Sequence, residues 1–303
     1  MAEEISNEQE SFQKIGFYEK YYKKLLVIPI ILFILTLSVL GYKLFSGEEI
    51  VKKDITLTGG VSITVSTDKE ISLIELEKKL VEKFDEVLVR RLSEIGTRKS
   101  IGFLIEAKTE DADALKSEIE ELVGIKLTEE NSSIEFTGSS LGKTFSSQLI
   151  KAVIVAFIFM AVVVFIIFRN FVPSLLVIFA ALADILTSLA YVSLTDMKIG
   201  TAGIAAFLML IGYSIDTDIL LTTRMLKRKE KHISQRMLES FKTGIMMTTI
   251  SLAVMLIAAF FVISPILKQI FVILSIGLVA DIIFTWCFNA PALRIYLEKT
   301  GKA

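Results

Sequence analysis

The chain has 303 residues, of which 53% are hydrophobic, with a mean hydropathy of +0.62 and a formal net charge of −1 at pH 7. This balance excludes an ordinary soluble domain, and the near-zero charge argues against a global electrostatic attraction to nucleic acid. A single cysteine, Cys287, excludes an internal disulfide, and with one histidine no zinc site of Cys and His is possible. No motif indicates a cofactor or a bound metal.

The N-terminal part of the chain predicts a tail and a first membrane span. Residues 1–24 are polar and end in several lysines, so they are predicted to form a cytoplasmic tail. The apolar run over 25–45 is long enough to cross a bilayer as one helix. Because residues 1–13 are acidic and no small-residue cleavage site follows the run, we interpret it as a retained anchor and not as a signal peptide.

Residues 46–148 have a different, charged composition and contain no spanning run. The segment 55–65 alternates apolar and polar residues around Gly59 and Gly60, which predicts a bent strand. Further elements are predicted as a helix over 71–84, strands over 87–89 and 101–105, a helix over 111–123 and a strand over 134–136. This β-α-β-β-α-β order predicts an α+β ferredoxin-like domain.

The second helix of this domain carries signals at both ends. Asp111 is suited to the N-cap, where its carboxylate can accept a hydrogen bond from a free N–H of the first turn. Gly124 is suited to the position just after the helix, which usually has a left-handed backbone conformation. These residues predict sharp boundaries for this helix.

Five further spans are predicted after residue 148, which makes six in total. They lie at about 149–168, 172–194, 201–222, 243–263 and 267–290, within a membrane region 149–297 that a cytoplasmic tail over 298–303 follows. The sequence therefore predicts a polytopic α-helical membrane protein with the ferredoxin-like domain between the first and second membrane helices.

The distribution of Lys and Arg predicts the orientation of these spans. With a cytoplasmic N-terminus, the inside segments hold nearly all the basic residues near the spans, including those of the segment 224–242. The short outside loops hold only Lys198 and Lys268. By the positive-inside rule, both termini are cytoplasmic and residues 46–148 are extracytoplasmic, in a multi-pass protein of the cell membrane.

Four carboxylates within the predicted spans are the candidate functional residues: Asp184, Asp216, Asp218 and Asp281. A charge at the centre of a membrane helix costs about 2.5–3.5 kcal/mol on insertion scales, so such residues commonly mark an ion or proton pathway. Asp216 and Asp218 point about 200° apart on a helix, so at most one of them can face the same path. The alternative is a structural hydrogen bond between helices, worth about 0.6 kcal/mol.

Hydroxyl groups accompany these carboxylates in the spans, and they are predicted to solvate a carboxylate or a water chain. Those singled out are Ser188, Ser214, Thr222, Thr249 and Thr285. Ser214 and Thr222 lie four residues before and after Asp218, which places them on its face of the helix.

Two short motifs resemble those of a known family. Thr58-Gly59-Gly60 resembles the Asp-Phe-Thr-Gly-Gly signature at the start of that family's outside domain. Gly212-Tyr213-Ser214, with the acidic residues that follow and Arg224, resembles its fourth-span motif. With one span, an outside domain and five further spans, the chain resembles SecF, the smaller subunit of the SecD–SecF protein-export complex, in an archaeal version. That family is similar to half of an RND-type transporter.

The chain departs from the family pattern at several positions. Thr56 and Leu57 replace the Asp and Phe of the signature, and Ala183 replaces a His before Asp184. In the fourth span the family's Asn-Asp-Thr is replaced by Asp-Thr-Asp over 216–218. Alignment with the Gly-x-Gly-Val-Asp motif of the sister subunit favours Asp216 as the group in the path.

The resemblance implies a function and a set of partners. The chain is expected to assist protein export with the proton motive force, together with an SecD-like partner. The Sec translocon channel, the translocating preprotein and membrane lipids are the other expected contacts. No nucleic acid and no cofactor are expected.

Two other functions remain open, and a third is disfavoured by its missing motifs. The chain could be an interaction subunit without proton coupling, or a half-size RND-type transporter of small molecules. An intramembrane aspartyl protease would pair Asp184 with Asp216, but residues 183–184 and 213–216 lack its Tyr-Asp and Gly-x-Gly-Asp motifs. We therefore predict that the chain is not an enzyme.

Overall fold

The structure is a computed structural model that describes residues 21–69, 71–93, 100–227, 232–262 and 264–300. In this part of the chain, the helices long and apolar enough to cross a membrane are Tyr21–Phe45, Ser147–Phe168, Phe171–Leu194, Thr201–Lys227, Ile233–Phe261 and Ile266–Lys299. The chain is therefore a polytopic helical membrane protein with six candidate spans. Most of the predicted tail over 1–24, and residues 301–303 of the other tail, lie outside the described residues.

The elements follow one another in an order that separates a small α/β unit from the membrane helices. They are α1 (Val27–Phe45), α2 (Ile55–Thr58), β1 (Gly60–Ser66), α3 (Leu73–Val81), β2 (Leu88–Ser93), β3 (Ser100–Ala107), α4 (Ala112–Val123), β4 (Ser132–Thr137), α5 (Ser139–Phe168), α6 (Phe171–Leu194), α7 (Thr201–Lys227), α8 (Ile233–Phe261), α9 (Pro265–Ile283), a π-helix (Phe284–Asn289) and α10 (Ala290–Lys299).

The α/β unit is a four-stranded antiparallel sheet in the order β2-β3-β1-β4, with α3 and α4 on one face. This is the arrangement expected of the predicted β-α-β-β-α-β sequence, in which each helix connects two strands separated by a third. Alternate residues of β1 point to the helices, and Ile63 pairs with Ile105 of β3 in the fully buried core. Leu80 of α3 and Leu115 of α4 close that core from the helical side.

The bent strand predicted over 55–65 is wrong in its first half. Residues 55–58 form the one-turn helix α2, in which the N–H groups of Leu57 and Thr58 both donate to the carbonyl of Asp54. Leu57 is 3% exposed because it packs among apolar residues of the membrane helices. Gly59, at φ +89°, then turns the chain into β1, which few other residues could do.

Both boundary signals of α4 are confirmed. The Asp111 carboxylate accepts a hydrogen bond of 2.9 Å from the N–H of Ala114, and Gly124 has a left-handed backbone at φ +68°. The cap supplies a partner for one of the free N–H groups at the start of the helix.

Helices α7 and α9 form the centre of the membrane part. Helix α7 packs against α5, α6, α8 and α9, while α9 also contacts α6 and α8. Gly277 lets α7 and α9 approach closely, since a Cβ there would lie 2.2 Å from a Leu210 methyl carbon. The outward faces of α1, α5 and α8 expose many apolar side chains.

The membrane helices extend beyond the predicted spans. Helix α5 begins at Ser139, before the predicted 149, and α8 begins at Ile233, before the predicted 243. Hydropathy detects only the apolar part of a helix, so the polar turns at its ends were missed. The basic segment 224–242 is therefore largely helical at both ends, with residues 228–231 outside the described part.

The connection after α1 joins the α/β unit to the loop between α6 and α7. The N–H of Asp54 donates to the carbonyl of Ile199 at 2.9 Å, and the N–H of Ile199 donates to the carbonyl of Lys52 at 2.7 Å. Asp196 of the same loop pairs with Lys43 at 3.3 Å and with Lys52 at 3.2 Å. These contacts place the α/β unit at the end of the membrane part where α6 ends and α7 begins.

Candidate functional site: a buried carboxyl cluster

Three of the four predicted carboxylates meet in the centre of the helix bundle. Asp184 comes from α6, Asp218 from α7 and Asp281 from α9, and each is 0% exposed. Within the described residues, none of the three forms an ion pair with Lys, Arg or His. Asp184 interacts electrostatically with both of the others, so the carboxyls form one cluster without a basic partner.

Hydrogen bonds join Asp218 to Asp281. Asp218 Oδ1 accepts from Asn289 Nδ2 at 2.7 Å, and it lies 3.0 Å from the hydroxyl of Thr285. The same hydroxyl is 3.0 Å from Asp281 Oδ1. Because a hydroxyl has one proton, Thr285 can donate to only one carboxyl at a time. Both bonds form together only when one of the carboxyls is protonated and donates to the hydroxyl.

Two further hydroxyl contacts extend the cluster. Thr248 of α8 lies 3.4 Å from Asp281 Oδ2 and 3.3 Å from the hydroxyl of Thr217 on α7. Ser214 of α7 donates to Asp184 Oδ2 at 2.6 Å. Hydrogen bonds thus connect Asp218 with Asp281, while Asp184 is bonded to Ser214 and interacts with the other two carboxyls electrostatically.

Several buried polar atoms of the cluster lack a hydrogen-bond partner among the described residues: Asp184 Oδ1, Asp218 Oδ2, Thr222 Oγ1 and Asn289 Oδ1. A buried polar atom without a partner typically costs about 1–3 kcal/mol, so native proteins keep few of them. Four such atoms close to three buried carboxyls make this cluster the candidate functional site.

Asp216 was predicted to face the interior of the bundle in preference to Asp218, and this prediction is wrong. The two side chains do point in opposite directions, but Asp218 faces the cluster and Asp216 is exposed. Helical spacing fixes their relative directions, and packing of α7 against α6 and α9 decides which one is buried. Asp184 and Asp216 therefore do not form the pair that an aspartyl protease would need.

Asp216 lies in a shallow groove of about 440 Å³ on the outside of α7. Its other lining residues are Ile219, Leu220, Thr223, Arg224 and Lys227. Two of these are basic, so the groove has both signs of charge on the surface of a membrane helix. It is separate from the buried cluster.

The predicted hydroxyls differ in where they lie. Ser214 contacts Asp184 and not Asp218, its neighbour along the helix. Ser188 donates to the backbone carbonyl of Asp184 at 2.8 Å and not to its carboxylate. Thr249 is exposed and does not face the cluster. Thr248, one residue earlier, makes the contact with a carboxyl that was predicted for Thr249.

Sequence reasoning missed Asn289 and the π-helix that positions it. The wider turn over 284–289 directs both Thr285 and Asn289 toward Asp218. Single π-helical turns within α-helices occur mainly at functional sites. A sequence signal was available, because Asn289 is an amide within an apolar span, two residues before Pro291, which has no N–H to donate.

Most residues of the two family motifs lie away from the cluster. Arg224 donates to the carbonyl of Glu239 at 2.8 Å and to the hydroxyl of Thr243 at 2.9 Å, which links α7 to α8. Gly212 is exposed and Tyr213 is half-buried. The motif of Thr58, Gly59 and Gly60 forms the turn from α2 into β1.

Comparison with known proteins gives a family for the chain. Residues 118–299 match the family model described as protein export membrane protein SecD/SecF, C-terminal. The chain is 37% identical over 286 residues to protein-export membrane protein SecF of Methanocaldococcus jannaschii, covering 92% of this chain and 97% of that protein. SecF of Methanothermobacter thermautotrophicus is 38% identical over 286 residues, covering 92% and 94%.

A solved structure shares the fold. The crystal structure of SecDF, a translocon-associated membrane protein from Thermus thermophilus, superposes with a TM-score of 0.72 at 18% identity. The match covers 93% of this chain and 38% of that longer chain. The family match and the archaeal relatives agree with the resemblance that the sequence motifs indicated. The chain therefore belongs to the SecF family of protein-export membrane proteins.

Proposed function

We propose that the chain is an accessory subunit of the Sec protein-export machinery that uses the proton motive force together with an SecD-like partner. The observation that carries the proton-coupling part is the buried cluster of Asp184, Asp218 and Asp281, which has no basic partner among the described residues. The relatives of this chain are named protein-export membrane protein SecF, which supports the export role.

The cluster has the chemistry that proton transfer needs. Ionising three neighbouring carboxyls in a low-dielectric bundle without a counter-ion is costly, so the cluster favours holding protons shared among its members. The Thr285 hydroxyl between Asp218 and Asp281 gives a short route for a proton from one to the other. A charge that crosses a potential of 100 mV releases about 2.3 kcal/mol, enough to bias a conformational cycle.

The exposed Asp216 supports the presence of a partner subunit in the membrane. A carboxylate on the lipid-facing side of a helix is costly, and such residues normally face protein or a water-filled cavity. This chain matches 38% of the SecDF chain of known structure, and we propose that an SecD-like subunit supplies a second set of helices that covers the groove at Asp216.

The charge distribution supports an orientation. We propose that both termini are cytoplasmic, because the basic ends of α7 and α8 and of α10 then lie inside. The ferredoxin-like unit within residues 46–148 then lies outside, where it can contact the translocon channel and the emerging preprotein. The exposed apolar faces of the outer helices contact lipid or the partner.

One alternative has a specific observation in its favour. Asp218 accepts hydrogen bonds from both Asn289 and Thr285, which is also what a purely structural link between α7 and the π-helix would show. In that case the chain would assist export by binding alone, without proton coupling.

An assay of preprotein export into inverted membrane vesicles distinguishes proton-coupled export from assistance by binding alone. The Asp218→Asn variant keeps the size and most hydrogen bonds of the side chain but cannot release a proton. We expect it to export a preprotein at a rate that no longer rises when a proton gradient is imposed. The matched control is Asp216→Asn on the same helix, with copurification of the partner checked in both. An unchanged response to the gradient in Asp218→Asn would establish the binding role instead.

A further inference from the structure

We propose that a basic pocket between the α/β unit and α5 binds the phosphate headgroup of an anionic membrane lipid. The basic pocket, of about 550 Å³, is bounded by Lys53, Lys108 and Lys151. These lysines come from the connection before α2, from the residue after β3 and from the membrane helix α5. The inference does not depend on proton coupling.

The lining of the basic pocket suits a phosphate group. None of the lining residues that the structure describes is acidic, and Ser147 adds a hydroxyl group. The Thr58 hydroxyl, also in the wall, already donates to the backbone carbonyls of Asp54 and Gly59. Within the described residues, Lys53 and Lys151 form no ion pair. Their ammonium groups are therefore available as charge-assisted donors to an anion.

Lys108 is the one lysine of the basic pocket with an ion partner in the described part of the chain. Its Nζ lies 2.7 Å from Glu86 Oε1, and the two side chains are 48% and 61% exposed. Such exposed pairs contribute little to stability, so the Lys108 ammonium can turn to a phosphate at small cost. The basic pocket thus combines two lysines that have no ion pair within the described residues with a third whose ion pair is weak.

The position of the basic pocket matches the headgroup layer. The sequence of α5 is mostly polar up to Gln148 and almost wholly apolar after Lys151, so the pocket lies where the apolar part of α5 begins. On one side it meets the polar α/β unit and on the other the hydrocarbon region. Lipid phosphates occupy this interfacial depth.

An apolar stripe on α5 continues from the basic pocket into the membrane and favours a lipid over free phosphate. Ile150 lies in the pocket wall, and Ile154 and Ile158 follow at intervals of four residues. They are 49%, 54% and 56% exposed, on one face of the helix. An acyl chain can lie along this stripe while its headgroup is held by the lysines.

The Thr58-Gly59-Gly60 motif lies at the wall of the basic pocket. Thr58 and Leu57 of α2 form one wall of the basic pocket, and the turn at Gly59 directs the chain from that wall into β1. A bound lipid would therefore contact the connection between α1 and the α/β unit as well as α5.

The test measures lipid binding by the purified full chain in detergent by native mass spectrometry. Dioleoyl phosphatidylglycerol, dioleoyl phosphatidylcholine and inorganic phosphate are the probes. We expect one phosphatidylglycerol to bind preferentially, and the Lys53→Gln/Lys151→Gln variant to bind it at least about tenfold more weakly. The matched control, Lys52→Gln/Lys268→Gln, makes the same change of charge at this end of the helices but outside the pocket, and it should bind as the wild type does.

Two results would overturn the proposal. One is equal binding of phosphatidylglycerol by the Lys53→Gln/Lys151→Gln variant and its control. The other is a site that takes up inorganic phosphate but shows no preference for phosphatidylglycerol over phosphatidylcholine, which would mean a simple anion site. All four lysines are exposed, so unchanged melting of both variants serves as the check on folding.

Discussion

Replacing Glu106 by Gln is expected to change how the stability of the α/β unit depends on pH. Glu106 lies on β3, is 5% exposed, and occupies the sheet face opposite α3 and α4. Burial, followed by the charge of Asp54 to which it is hydrogen-bonded, raises the pKa of Glu106 to about 7, while Arg90 and Lys198 oppose the rise. The ordinary value is 4.5.

The sign of the effect follows from this raised pKa. Between pH 4.5 and 7 the folded state holds a proton at Glu106 that the unfolded state releases, so the free energy of unfolding falls as the pH rises. The stabilisation is fully present below pH 4.5 and is lost as the pH passes 7. A gap of about 2.5 between the two pKa values corresponds to at most about 3 kcal/mol.

Hydrogen exchange measures this effect in the intact chain. The free energy of opening for the amides of β1 and β3, corrected for intrinsic exchange, should fall between pH 5 and pH 8 in the wild type. In Glu106→Gln it should be nearly flat, so the variant is more stable at pH 8. Glu135→Gln, an exposed position on β4, is the matched control. If the opening free energy depended on pH with the same slope in the wild type and in Glu106→Gln, the explanation that burial and Asp54 raise the pKa of Glu106 would be refuted.

Two further predictions concern packing and capping. Gly277→Ala places a Cβ 2.2 Å from a buried Leu210 methyl carbon, so we expect a loss of about 1–3 kcal/mol and a lower melting temperature in detergent. Gly41→Ala, where no atom lies within 4 Å, should instead be neutral or stabilising, and equal effects of the two would contradict the packing argument. Asp111→Ala removes the acceptor for the Ala114 N–H and should cost about 0.5–2 kcal/mol, seen as faster exchange in the first turn of α4; unchanged exchange there would argue against the cap.

Hydrophobic pattern and local chemistry were enough to predict much of the fold. Membrane spans depend on length and apolarity alone, and the ends of α4 depend on Asp111 and Gly124, so both could be predicted from local sequence. The alternation over 55–58 was misleading because a single helical turn also buries one residue in four. Leu57 is buried by membrane helices that are distant in the sequence, and no local pattern carries that information.

The contacts of the buried carboxyl cluster could be predicted only in part from local sequence. Spacing established that Asp216 and Asp218 face opposite sides, but only the packing of α7 among its neighbours selects the buried one. Asn289 reaches Asp218 from 71 residues away through a π-helical turn, a backbone irregularity with no periodic signature. Contacts of this kind depend on tertiary structure and not on propensity.

Proton transfer through the buried cluster is tested most directly by proton flux into proteoliposomes. The chain and its SecD-like partner are reconstituted with a pH-sensitive dye inside, and a membrane potential is imposed. We predict that protons enter with the wild type and with Asp216→Asn, and that entry falls to the level of empty liposomes with Asp218→Asn. Undiminished entry with Asp218→Asn would contradict the proposed role of the cluster.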